Sequence, residues 1–167
     1  MKRLIAITAL ILLFSMSTRA TTVERLTLDD MVKKAEAIVH GKVTSSRTHW
    51  SSNRKLILTT YMLDVSETIK GQAGRSVELT TIGGRIGDLI LHVSGMPSFE
   101  PDEDAVVFLE KSGAFSTVVG LNQGKFTVRN GEVSNNPRDL SFRDGRGAVP
   151  LKMRLDDFKR QIESRLR

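Results

Sequence analysis

The chain has 167 residues, 40% of them apolar, a formal charge of +6 and no cysteine. That length suits one domain held by packing alone, and the missing cysteine excludes disulfides, thiol nucleophiles and a lipid-bearing cysteine. Aromatic residues make up only 5% and are not interleaved with basic ones, which excludes a single-strand nucleic-acid platform.

The opening MKRLIAITALILLFSMSTRA has the grammar of a secretory leader: basic Lys2 and Arg3, an apolar run Leu4–Met16, and a small-residue exit ending at Ala20. The run falls short of the roughly 20 residues that span a bilayer. The reading is therefore a signal peptide over 1–20, cleaved after Ala20, and an exported protein, periplasmic or secreted, with no stable membrane anchor. The leader takes Lys2, Arg3 and Arg19 with it, leaving 22 basic against 19 acidic residues, or +3. Such a weak excess argues against nucleic acid as a partner.

Leu26–Ala37 reads as a short helix with Thr27 as N-cap, Asp29 and Asp30 in its first turn, and Lys33 and Lys34 near its end. The apolar period then changes from 3.6 to 2. Ala37, Val39, Gly41 and Val43 alternate with Ile38, His40, Lys42 and Thr44. After a polar loop around Trp50–Asn53, Ile57, Thr59, Tyr61, Leu63, Val65 and Ile69 form one face of a second long strand. Shorter strands are expected at Ser76–Ile82, Leu89–Val93, Asp104–Leu109 and Phe115–Gly120. Lys125–Arg129 should meet Glu132–Val133 across Asn130–Gly131, a strong hairpin signal. Residues 135–149, with Pro137, Gly145 and Gly147, read as a loop or linker. The segment 150–167 reads as an amphipathic helix with Leu155, Phe158, Ile162 and Leu166 on one face. The expected fold is mainly β: an antiparallel OB-like β-barrel over 21–134 with a short N-terminal helix, followed by the linker and a C-terminal helix.

The stretch VSGMPSFEPDEDAVVFLEKSG holds three consecutive acids, Asp102, Glu103 and Asp104. Successive residues of an extended segment point to opposite sides, so the three cannot aim at one ion, and the alternating pattern of a calcium loop is missing. They read as the polar mouth of a buried strand. The histidines His40, His49 and His92 form no HxH or HxxxH pair, so no metal site is expected. TIGGRIGDL lacks the spacing and ending of a phosphate loop, and its glycines read as a turn or bulge. With no GxSxG and no cysteine, no catalytic residue and no cofactor are expected.

AEAIVHGKV, LILTTYMLDVSETIKG, GDLILHVSGMPSFEPDEDAVVFL and VVGLNQGKFTV together resemble a family of uncharacterised exported bacterial proteins over most of residues 26–128. More distantly, Ala37–Val43 and Ile57–Gly71 are similar to the first strands of the netrin-like, OB-type barrel of the tissue inhibitors of metalloproteinases. That likeness implies an inhibitor of an exported metalloprotease, in which Thr21, the new N-terminus, would cap the catalytic zinc. The inhibitors use an N-terminal cysteine held by disulfides, and this chain has neither. The main expectation is a non-catalytic exported module that binds another exported protein. Its contact surface is expected at Thr21, Gly83, Gly84, Arg85, Met96, Pro97 and Phe99. The rival from another class is an envelope hydrolase in which His92 meets the acids at 102–104.

Overall fold

The computed structural model describes residues 22–167. The predicted leader, its cleavage site and Thr21 lie outside the described residues. In chain order the elements are β1 (Thr22–Val23), α1 (Leu28–Lys34), β2 (Ala37–Trp50), β3 (Ile57–Lys70), β4 (Ser76–Ile82), β5 (Gly84–Ile86) and β6 (Leu89–Leu91). There follow β7 (Asp104–Ser112), β8 (Phe115–Val118), β9 (Lys125–Arg129), β10 (Glu132–Ser134), β11 (Ser141–Phe142), β12 (Lys152–Arg154) and α2 (Leu155–Ser164).

Helix α1 forms because its first turn is satisfied locally. Thr27 Oγ1 accepts from Asp30 N at 3.1 Å, and the Asp30 carboxylate accepts from Thr27 N at 2.9 Å, a capping box. The Thr27 hydroxyl, donating to that carboxylate at 2.6 Å, and then the Thr27 N–H pull the Asp30 pKa below its usual value. Its other end is met by Lys70, whose ammonium donates to Val32 O at 2.6 Å and Ala35 O at 2.5 Å. The next residue, Gly71 (φ 76°), passes so close that a Cβ there would lie 2.2 Å from Glu36 O. The Lys-Gly ending of the second long strand is thus a cap and a crossing. The helix is shorter than expected at both ends, since Leu26 precedes the cap and Ala37 already begins β2.

The main sheet is antiparallel, in the order β12-β10-β9-β7-β2-β3-β4, with β8 also on β7. Strand β7 lies at its centre, pairing β2 along Asp104–Leu109, β9 along Ala105–Val107 and β8 along Leu109–Ser112. Each of its faces meets a separate core. Val106 and Phe108 pack with Ile38, Phe126, Phe158 and Ile162 under the two helices. Ala105, Val107 and Leu109 pack with Val39, Leu63 and Leu79 on the other side. Burial on both faces is why AVVFL is a continuous apolar run rather than an alternating one.

Strands β2 and β3 form a long hairpin broken by register shifts at Ile38/Val39, His40/Gly41 and Val43/Ser45. The extra residues move the pleat from one face to the other. Leu63 is fully buried and Asp64 exposed, as the alternation predicts, but Ile69 packs against the helix-side core while Leu63 and Val65 join the opposite one. The single face drawn from Ile57 to Ile69 is therefore corrected to two.

Strand β4 lies beside β8, but no hydrogen-bonded ladder joins them among the described residues, so the sheet curls without closing. Residues 135–149 are held down along most of their length. β11 pairs in parallel with β1, and the Arg25 guanidinium grips Asp144 (2.8 Å), donates to the carbonyls of Arg146 and Gly147, and stacks 4.0 Å from the centre of the Phe142 ring. Helix α2 ends at Ser164, leaving Leu166 beyond it and 39% exposed. No helix among the described residues is long and apolar enough to cross a membrane.

The Arg25 grip predicts a pH signature. The hydrogen bond from Arg25, then that from Arg146 N, hold the Asp144 carboxyl at about 2 against an ordinary 3.8. A depressed carboxylate contributes stability above its unfolded pKa, and that contribution is lost as pH falls from about 4 toward 2. Side-chain carbon NMR should find the Asp144 midpoint near the lower value, and Arg25→Gln should return it toward the ordinary one. An unchanged midpoint in the variant would remove Arg25 as the cause.

Candidate functional site

The acidic triplet resolves into three separate roles. Asp102, in the left-handed region (φ 62°), is exposed and pairs with Lys42 at 3.2 Å. Asp104 opens β7 and lies 2.9 Å from His40 Nε2, a ring nitrogen that forms no hydrogen bond. Glu103 turns inward, with only 7% of its side chain exposed. Its oxygens accept from Lys125 Nζ, from Thr127 Oγ1 at 2.5 Å and from Glu100 N at 2.9 Å.

Lys125 also donates to Ser98 O and sits 4.4 Å above the Phe99 ring, which packs on Tyr61 at 5.0 Å between centroids. This cluster anchors the loop between β6 and β7. The expected strand mouth is correct, and Glu103 adds the bond that holds it shut.

Phe99 and Pro97, expected on a contact surface, are buried, Phe99 at 6% exposure. Nothing local in the 94–104 stretch signals that a cation and a ring would draw this loop inward. Gly83 and Gly84 precede and open β5 rather than forming a free loop, since 83–88 belongs to the β5–β6 hairpin. Gly83 N donates to Ile57 O, Gly83 O accepts from Thr59 Oγ1, and a Cβ on Gly84 would lie 2.5 Å from that same hydroxyl oxygen. Both glycines serve close packing on β2 and β3. Arg85 is exposed, and Thr21 lies outside the described residues.

His92 borders a small cleft beside Thr59 and Tyr61, and it is His40, not His92, that lies against one of the acids at 102–104. No group of three or more His, Asp or Glu side chains suited to a metal ion occurs among the described residues.

Of the expected surface residues that are described, Met96 alone reaches a sizeable apolar opening. Where β4 runs alongside β8 without a ladder, a groove of about 510 Å³ opens, lined by Leu56, Leu58, Ile82, Met96, Phe115 and Leu121. Leu56 and Phe115 stand 40% and 43% exposed on its rim. Their signal in the sequence was slight: each is a large apolar residue abutting a turn, Ser51–Leu56 and Ser112–Phe115. On the far side of the 98–104 loop, a polar cleft of about 680 Å³ separates that loop from β9 and β10.

No protein-family model, curated protein or solved structure matches the chain.

Proposed function

We propose that the mature chain is an exported, non-catalytic binding module of OB-like build that takes an extended apolar segment of another exported protein along the β4–β8 seam. The observation that carries this reading is the groove itself: apolar, of ligand size, rimmed by half-exposed Leu56 and Phe115, and flanked by two strand edges that no ladder covers. Unpaired edges favour an extended occupant, because main-chain hydrogen bonds supply affinity while side chains enter the groove. The threonines Thr80 and Thr81 give the lining a few polar points to fix orientation.

Selection of peptides from a displayed library on the mature chain tests it. The enriched sequences should alternate apolar and polar residues, and Leu56→Glu with Phe115→Glu should abolish their retention. Enrichment of charged or proline-rich sequences, or retention by the double variant, would contradict the reading.

A second reading, inhibition of an exported metalloprotease through the N-terminus, is favoured by one observation. The buried Gln123 side chain accepts from Leu26 N at 2.8 Å and donates to Glu24 O at 3.0 Å, and β1 is laddered to β11. These bonds order the segment next to the expected N-terminus, a task disulfides perform in the inhibitors it resembles. The mature form should inhibit a zinc protease from the same compartment, and one added N-terminal residue should abolish that inhibition. Equal behaviour of the two forms would end this reading.

A further inference from the structure

A cleft of about 680 Å³ lies away from the apolar groove, between the 98–104 loop and the β9–β10 hairpin. Its floor is fixed by bonds already satisfied. Lys125 and Thr127 both donate to the Glu103 carboxylate, and Asn135 donates to Gln123 O at 3.2 Å while accepting from Leu151 N at 2.8 Å. Above that floor stand side chains that bond nothing else among the described residues: Glu100, Asn122, Arg129, Ser134, Asn136 and Asp139. The floor is already ordered, whereas the polar side chains above it must be ordered by the ligand they hold.

The chemistry of those groups selects the ligand class. They offer donors and acceptors in nearly equal measure, and five of the six carry planar amide, carboxylate or guanidinium heads that can bond two neighbouring hydroxyls at once. An anionic polymer is disfavoured, because Glu100, Asp102, Asp104 and Asp139 all border the cleft. A lipid or an aromatic ligand would find only Val128 and Pro101 to pack on. Of the bordering acids, Asp102 pairs with Lys42, Glu103 pairs with Lys125 and Asp104 lies against His40, so a purely cationic ligand would find only Glu100 and Asp139, opposed by Arg129.

We propose that this cleft binds a neutral, hydroxyl-rich oligosaccharide, giving the module a second contact independent of the apolar groove.

Titration of the nitrogen-15-labelled mature chain with cellotetraose, maltotetraose and chitotetraose tests it. At least one should shift the amides of Glu100–Asp104, Asn122 and Ser134–Asn136 at millimolar concentration. The Asn122→Ala/Asn136→Ala variant should weaken that binding about tenfold or more, since two neutral hydrogen-bonding groups are removed. Both substitutions are at half-buried or exposed side chains without partners, so the spectrum should otherwise remain that of the folded protein. Peptide retention in the groove should be unchanged, which separates this inference from the proposed function. Silence from all three tetrasaccharides, shifts that persist in the variant, or a response confined to tetralysine would overturn it.

Discussion

Replacing Phe158 with alanine should cost about 3–5 kcal/mol and loosen α2 from the sheet. Phe158 is fully buried and closes an aromatic trio, 4.5 Å from Phe126 and 6.1 Å from Phe108 between centroids. Its removal opens a cavity where the helix, β7 and β9 meet, and neither strand can move inward without breaking its ladders. The ion pairs Lys159–Glu67 and Arg165–Asp29 tie the helix and its C-cap to β3 and α1, but both are partly exposed and contribute less by comparison. Phe115→Ala, at a half-exposed position on β8, should change stability by no more than about 0.5 kcal/mol. Urea unfolding of the two variants checks the contrast. Equal losses would mean that α2 does not close the core.

The second large effect is expected at the Glu103–Lys125 pair. Lys125→Met should destabilise by about 3–5 kcal/mol, because the Glu103 carboxylate would then lie buried with only Thr127 and Glu100 N to hold it. The same change frees the 94–104 loop, since Lys125 also binds Ser98 O and covers Phe99. Adding Glu103→Leu to Lys125→Met should recover part of the loss, since no uncompensated charge then remains. A double-mutant cycle by chemical unfolding should give a coupling above about 1 kcal/mol. Additive losses would mean the pair is solvated and that other contacts hold the loop.

Much of this fold was legible because local rules and burial agreed. Thr27 with Asp30, the Asn130–Gly131 turn between β9 and β10, the period of two along Ala37–Val43, and the apolar run entering at Asp104 each point to the element that forms. The bulges in the β2–β3 hairpin were not legible, because an added residue shifts the face without altering the alternation, as Ile69 shows. Strands β1, β11 and β12 have only two or three residues and owe their existence to partners far along the chain.

The candidate site divides the same way. Strand geometry predicts that the acids 102–104 diverge, but they diverge because Asp102 sits in a left-handed turn and only Asp104 belongs to β7. The inward turn of Phe99 did not follow, for it depends on Lys125, a residue of β9. The apolar groove was hidden because β4 and β8 are distant in sequence and nothing local says that they approach without pairing.

The account rests on the open β4–β8 seam as the place where a partner binds. Backbone amide exchange of the chain from residue 21 onward, with and without a peptide selected on it, tests that claim most directly. Binding should slow exchange at Thr80–Ile82 and Phe115–Val118, and Leu56→Glu with Phe115→Glu should remove the protection. Protection at the opposite edge, along Lys152–Arg154, with those two strands unchanged, would contradict it.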